Sequence, residues 1–415
     1  MNKILVYIIF SFIVLACSSE NNEKVVTLML SESEVIADYS GITKTILVTT
    51  NSEWTVSLSP KWCSVEKIKN STKELLVIRV HSNGTLFKRM GTIVIETNEL
   101  TKYIQVTQNG IKKNELNWSP FPVNDYSDIQ YHKGIDGNTI FTIKGSKIFI
   151  NPYIRQQIYH GNMINNESES IYNITNYKQY IFENITIGGF INGYFYANKF
   201  KYPSKKESDL LAKKIINTTT FQNESFNYDE KPIIYNSYKQ LNLLGVSNLG
   251  IKLEELISGK SYLNSEIKKQ KGMIYTYSHE LFYLIMDYPE KLSNNGIENE
   301  YYYTNLSYIS QITYGKTALL IVETNSDVDI VQKIIKKLMQ SYSLNDKEIG
   351  LISNADFYYL FFDNNGDIQT VKGNSDLVTK YKSSIEKNDI MPLSFSLNKY
   401  SDNSVSQLKF KLHLK

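Results

Sequence analysis

The sequence predicts an α+β protein in two parts, a β-sandwich of short strands followed by a larger domain that mixes strands with helices. Between residues 25 and 110, runs of β-branched and aromatic residues alternate with turn clusters. Beyond residue 116 the elements lengthen, and apolar residues recur at helical spacing in segments such as 205–218 and 327–339. The runs 308–316 and 357–362 are strongly β-prone.

At the N-terminus, Lys3 precedes an apolar run from Ile4 to Ala16 that ends in Val14-Leu-Ala-Cys17. So short a run behind a basic residue reads as a secretory signal, not a membrane helix. Small Ala16 before Cys17 fits a bacterial lipoprotein processing site, with Cys17 as the lipid-carrying mature N-terminus. An ordinary signal peptide with a chance cysteine is the alternative. The expected organisation is a signal peptide at 1–16, a tether at 17–24, the sandwich at 25–110, a linker at 111–116 and the main domain at 117–415. The expected location is the cell envelope, as an outer-membrane lipoprotein, surface-exposed or secreted.

An apolar content of 42%, with 13% aromatic residues, excludes a disordered chain. A net charge of +3 gives no reason to expect nucleic acid as a partner. Cys17 and Cys63 are the two cysteines. If Cys17 is acylated, no intramolecular disulfide forms, and Cys63, between apolar neighbours, is expected to be a buried structural thiol. The histidines (His81, His132, His160, His279 and His413) are scattered without metal-ligand spacing, and neither a Gly-x-Ser-x-Gly elbow nor a phosphate-binding glycine loop occurs. Glu254-Glu255 and the Lys333, Lys336 and Lys337 group read as solvated helix faces. No catalytic residue, metal or cofactor is expected.

In the first part, strands are expected at 25–30, 43–50, 54–58, 75–80, 91–97 and 102–108, a count that suits a sandwich. The run from Leu47-Val-Thr-Thr50 into Asn51-Ser-Glu-Trp54, then Pro60-Lys-Trp62, Gly91-Thr-Ile-Val-Ile-Glu-Thr97 and Ile104-Gln-Val-Thr-Gln-Asn-Gly110, resembles the BACON domain. The resemblance implies an Ig-like sandwich with suspected glycan binding. Trp54 could stack on a sugar as a glycan contact, or fill the core, the commoner fate of a tryptophan that starts a strand. A spacer role for the sandwich is the blander reading.

In the second part, helices are expected at 205–218, 238–257, 327–339 and 376–385, and strands at 273–277, 280–286, 308–316, 318–323, 357–362 and 405–414. Tyr308-Ile-Ser-Gln-Ile-Thr-Tyr-Gly-Lys316, with Tyr308, Tyr314, Gly315 and Lys316 as its sheet-core motif, is followed by Leu320-Ile-Val-Glu-Thr-Asn-Ser326. Together they resemble the central strand of the thiol-activated (cholesterol-dependent) cytolysins. Ile158-Tyr-His-Gly-Asn-Met-Ile164, the run from Lys268 to Tyr283, and the stretch from Pro392 to Asn403 match further family segments in order.

The resemblance implies a twisted antiparallel sheet flanked by two helical clusters, at 238–265 and 325–341. In family members each cluster unfurls into two strands of a membrane barrel. A spanning strand needs about ten residues that alternate apolar and polar. Candidate inserting residues are Leu249, Ile251 and Leu253 in the first cluster, and Val328, Ile330 and Ile334 in the second. Glu255 and Lys336 break these faces, and a soluble helix packed on a sheet explains both clusters equally well. Two departures stand out. Phe362-Asp363 replaces the Gly-Gly pair at which the family's sheet bends. The domain that recognises cholesterol in the family would begin where this sequence stops, so cholesterol binding by that route is not expected.

The sequence therefore points to pore formation or pore-complex assembly on a target membrane, as a homo-oligomeric ring or with a related cytolysin chain. A non-lytic adhesin or glycan-binding lipoprotein is the alternative. A decoy that stalls a related toxin's ring is a third reading.

Overall fold

The computed structural model describes residues 25–69, 73–83, 85–111, 125–135, 139–170, 173–178, 180–221, 232–235, 238, 241, 253, 257, 267, 269–289, 305–362, 367–383 and 390–414. Cys17, the tether, Trp118 and the hairpin turn after Phe362 lie outside these residues.

The first part contains β1 (Leu28–Leu30), β2 (Glu34–Ala37), β3 (Ile42–Thr50), β4 (Thr55–Leu58), β5 (Cys63–Lys69), β6 (Glu74–Val80), β7 (Arg89–Glu96) and β8 (Thr101–Gln108). They form two four-stranded sheets in the orders β1-β3-β6-β5 and β2-β8-β7-β4. Alternate residues of each strand point inward, as the pleat requires. Ile46, Leu76 and Ile78 from one sheet meet Ile93, Ile95, Ile104 and Val106 from the other in a shared core.

Trp54 belongs to that core and is 1% exposed. Its indole Nε1–H donates to Glu74 Oε2, Lys67 Nζ lies 4.3 Å from the ring centroid, and the same ammonium donates to the Trp54 carbonyl at 3.0 Å. The expectation of a sugar-stacking Trp54 is thereby corrected: no ring face is open to a glycan. Cys63 is a buried free thiol, and loss of solvation pushes its pKa up to about 11 against the opposing effect of Arg89.

Ile111, at the start of the expected linker, is buried in the main domain's core, and Tyr39 and Leu86 of the sandwich pack against the same cluster. The ring of Phe87 lies 6.2 Å from that of Tyr131. The two parts therefore share apolar contacts at this end.

The main domain contains β9 (Asp125–Lys133), β10 (Thr139–Phe149), β11 (Met163–Asn165), β12 (Glu167–Ser168), β13 (Ile185–Ile191), β14 (Tyr194–Phe200), α1 (Lys205–Thr218), β15 (Ile233–Tyr235), β16 (Lys271–Met286), β17 (Leu306–Thr324), α2 (Val328–Met339), α3 (Asp346–Ser353), β18 (Asp356–Phe362), β19 (Ile368–Gly373), α4 (Asp376–Lys382), β20 (Met391–Lys399), β21 (Val405–Ser406) and β22 (Leu408–Leu414). Among the described residues its strands join one fourteen-stranded sheet whose main path runs β12-β22-β10-β20-β17-β16-β13-β14.

The long strands β16 and β17 are common to two half-sheets. Along 307–315 the second edge of β17 pairs with β20, and along 318–323 it pairs with β18. The outer edge of β16 pairs with β13 at 285–286 and with β15 at 272–274. A proximal half, β10-β20-β17-β16-β13-β14, thus passes into a distal half, β15-β16-β17-β18-β19.

Helix α1 covers the proximal half. Ser204 caps it by accepting from the Glu207 amide, and Leu211, Ala212 and Ile215 are its buried stripe. Between helix and sheet lies His160, 0% exposed. Its Nε2 is 3.0 Å from the Leu284 carbonyl, which fixes a proton on Nε2, and its Nδ1 is 3.1 Å from Ser208 Oγ, placed to accept from that hydroxyl. The neutral ring is therefore fully hydrogen-bonded, and burial lowers its pKa to about 4.

That depression has a consequence for stability. As pH falls through the unfolded value near 6.5, the unfolded chain takes up a proton that the folded chain refuses until about pH 4. Stability is therefore present above about pH 6.5 and lost across this window, by up to roughly 3 kcal/mol. In His160→Gln that component of the decline between pH 7 and pH 4.5 is expected to disappear, as read from the urea midpoint. Equal pH slopes in the two proteins would refute it.

Candidate membrane-inserting region

The sheet-core motif sits where the half-sheets meet. Gly315 pairs with Glu280 of β16, but Tyr314 pairs with Phe282, so Leu281 is an extra residue. On the other side Thr313 pairs with Ser394 and Tyr314 with Pro392, so Leu393 is extra in β20. Both neighbours of β17 bulge at one level, and bulges bend and twist the strands that carry them. A Cβ at Gly315 would lie 2.0 Å from the His279 carbonyl oxygen and 2.8 Å from Leu393 Cδ1. Only glycine allows this approach.

The other motif residues are buried. The ring of Tyr314 stacks on Phe282 with centroids 4.9 Å apart, and burial raises its pKa far above the usual phenol range, with Asp209 adding to the effect. Tyr308 meets Phe182 edge-on at 5.2 Å and donates to Asn403 Oδ1 at 2.9 Å. Lys316 is 7% exposed and pairs across the sheet with His279.

In the distal half, helical material covers both faces of β17. On one face Leu319 and Ile321 pack with Tyr238, Leu241, Leu253 and Ile257, which are helical. On the other, Leu320 and Val322 pack with Val331, Ile334, Ile335 and Met339 of α2 and with Leu377, Val378 and Tyr381 of α4. This explains why Ala318–Val322 is continuously apolar and does not alternate.

Among the candidate inserting residues, Leu253 and Ile334 are each 1% exposed. Val328 is half-buried against the same core as Ile334, whereas Ile330 faces solvent at 45% exposure. Leu249 and Ile251 lie outside the described residues. The second-cluster trio shares one face only in an extended chain. In the helix, Asp327 caps α2 by accepting from the Ile330 amide at 3.1 Å, and the buried stripe has helical spacing.

Four strands of the distal half end level with one another. Tyr235 pairs with Gly272, Gly272 with Glu323 and Glu323 with Asp356, forming one transverse row from which both helical segments leave. The row carries several polar ties. The Tyr235 ring lies on Gly272, where an added Cβ would meet its Cζ at 2.1 Å. Its hydroxyl donates to Glu323 Oε1 at 2.9 Å, and Glu323 is fully buried. Burial and the Glu323 carboxylate both raise the Tyr235 pKa. The Gln270 amide donates to Asn325 Oδ1 at 3.0 Å, and Lys269 Nζ donates to the Asn354 carbonyl at 3.2 Å. At the far end of α2, Lys382 Nζ donates to Ser341 Oγ at 2.7 Å.

Sequence reasoning located the motif and α2 but missed Tyr235, Gly272 and Glu323 as a unit. Glu323 within Leu320-Ile-Val-Glu323 was the available signal, since a carboxylate inside a buried strand must have a partner. Removing the hydroxyl with Tyr235→Phe is expected to cost about 1.5–3 kcal/mol, the range for a hydrogen bond to a charged group. It should also speed amide exchange at 233–235 and 272–274 ahead of the proximal strands. An unchanged melting temperature and exchange pattern would refute this.

No family model matches the chain, and no curated protein matches it. Among solved structures, the chain is similar to a non-hemolytic pneumolysin from Streptococcus pneumoniae strain ST306, with a TM-score of 0.46 and 15% identity over 70% of this chain and 68% of that one. It is also similar to suilysin from Streptococcus suis, at 0.46 and 17% identity over 70% and 68%. A third likeness is to listeriolysin O, at 0.46 and 15% identity over 72% and 70%.

Proposed function

We propose that this protein is an exported lipoprotein that forms a pore, or assembles into a pore complex, on a target membrane by converting its helical layers into strand hairpins. The observation that carries the reading is the level row Tyr235–Gly272–Glu323–Asp356. Residues 236–270 connect the antiparallel pair β15–β16, and residues 325–355 connect the antiparallel pair β17–β18. Each connection exceeds the roughly twenty residues that two membrane-crossing strands of about ten need. Extending both hairpins past the row would lengthen four adjacent strands without breaking an existing pair. The ordered sequence motifs from Ile158 to Asn403 support the same reading.

The energetics set the conditions. Leaving the sheet forfeits the burial of Val331, Ile334, Ile335 and Met339, about 1.5–3 kcal/mol each. A hydrocarbon environment and closure of strand edges against neighbouring chains would have to replace it. In an extended chain Val328, Ile330, Ile334 and Leu338 share a face with Lys336, whose exposure to lipid costs about 2–4 kcal/mol at mid-membrane and less near the interface. Conversion in a ring, with Lys336 near an interface, is the arrangement these numbers favour. Lipidation at Cys17 would hold the protein at an envelope surface, with the sandwich, read as BACON-like, as spacer or targeting module.

One observation favours the alternative of a non-lytic adhesin that keeps the fold as scaffold. The apolar residues of α2 follow a helical stripe, not the alternation of a barrel strand.

The deciding experiment joins α2 to the strand beneath it by an engineered disulfide in a Cys63→Ala background, using protein without the lipid. Dye release from liposomes and bacterial envelopes is expected to be absent while the lock is oxidised and restored on reduction. Leakage indifferent to the lock would sink hairpin conversion, and no leakage in either state would favour the adhesin.

A further inference from the structure

On the face of the proximal half-sheet that carries Gln311 and Ser396, a cavity of about 420 Å³ opens beside the ends of β16 and β20. The register assembles its floor. Lys147 pairs with Ser396, Ser396 with Gln311 and Gln311 with Ile285, so these side chains form one row across four strands. Ile309 pairs with Leu397 and Gln311 with Ser396, which leaves Ser310 as the extra residue of a bulge in β17. A bulge re-aims the side chain it carries. The Ser310 hydroxyl donates to Asn398 Oδ1 at 3.0 Å, which fixes the amide orientation within the cavity lining. Tyr288, 69% exposed, and Val405, 68% exposed, supply aromatic and aliphatic lining, and Asp287 stands beside Tyr288.

The chemistry of this lining narrows the ligand. Amides and hydroxyls (Gln311, Asn398, Ser146, Ser310, Ser396 and Tyr288) make up half of it, beside aliphatic residues, and both groups can donate and accept. The side chains of Gln311, Ser396 and Asp287 have no hydrogen-bond partner among the described residues. Lys147 and Asp287 bring opposite charges, and Lys147 is engaged with Glu280, so the site holds no net attraction for a phosphate or a carboxylate. The volume falls at the small end of ligand pockets. An exposed tyrosine ring beside a bed of amides and hydroxyls matches a molecule with one apolar C–H face and a rim of hydroxyl groups. We propose that this groove, lined by Tyr288, Asp287, Gln311, Ser310, Ser396 and Asn398, binds a neutral saccharide. The site is independent of the pore reading and lies in the main domain, apart from Trp54 and the sandwich.

The test is an array of neutral, sialylated and sulfated oligosaccharides, followed by calorimetric titration of the strongest neutral hit. Tyr288→Ala and Gln311→Ala are each expected to weaken that binding by about tenfold or more, with unchanged melting temperature. Tyr103→Ala, on the exposed outer face of the sandwich, is expected to leave it intact. Tyr288 is largely exposed, so its variant remains decisive even if Gln311→Ala folds poorly. Three results would overturn the proposal: no neutral glycan bound, binding of acidic glycans alone, or neutral binding that survives both groove variants or is lost in Tyr103→Ala.

Discussion

A strand covered on both faces must place apolar residues at consecutive positions, and β17 does so from Ala318 to Val322. Most of the distal half follows from that constraint. Leu319 and Ile321 require one apolar layer, and Leu320 and Val322 require another on the opposite side. No second sheet supplies either layer among the described residues. Helical segments do, and both leave the sheet from the same transverse row. Without them the strand would expose a contiguous apolar surface on each face, the kind that binds a membrane, another chain or itself. The helical layers and the surface they hide are two aspects of one design.

Under the proposed conversion, two packings of the same residues would compete. Capping by Asp327, the capping box of α3, in which Asn345 accepts from the Glu348 amide and Glu348 reaches back, and the bond from Lys382 to Ser341 all favour helices. Each is worth about 1–2 kcal/mol or less. The larger contribution is the buried stripe of α2. The Tyr235–Glu323 bond belongs to neither helical layer, yet it ties β15 to β17 across β16 at the row where any conversion would begin. A chain can store two packings when many modest terms hold one of them and a change of solvent alters most of those terms together.

Legibility in the sequence followed how local each signal was. Helix α1 is legible in the sequence at its observed bounds and α2 to within a residue, because helical periodicity is written in nearby residues. The strands expected separately at 273–277 and 280–286, and at 308–316 and 318–323, are in each case one strand. The expected breaks fall at Ser278-His279 and at Thr317, polar residues inside an apolar run, and it is their pairing across β16 and β17, Ser278 with Thr317, that keeps each strand continuous, which is non-local information. β2 and β5 were missed since both expose much of their length. The strand expected at 405–414 divides around Gln407, with β21 pairing β20 and β22 pairing β10. Of the two readings of Trp54, core filling is the one its burial fits. The polar row through Tyr235 and Glu323 joins residues 88 positions apart, beyond any periodicity.

The double bulge at Tyr314–Gly315 separates the two activities proposed for this domain. Proximal to it, β17 lies between β20 and β16, α1 packs on one face and the groove opens on the other. Distal to it, the partners of β17 change, and each new hairpin is connected through helix. A register shift on both sides of one strand interrupts hydrogen-bonded continuity without cutting the strand itself. Rearrangement beyond Glu323 therefore need not propagate to Gln311 or Ser310. Gly315 allows that separation: a side chain there would press against the His279 carbonyl and Leu393 and force the neighbouring strands apart. Ligand contact in one half and strand extension in the other can share β17 because this residue has no side chain.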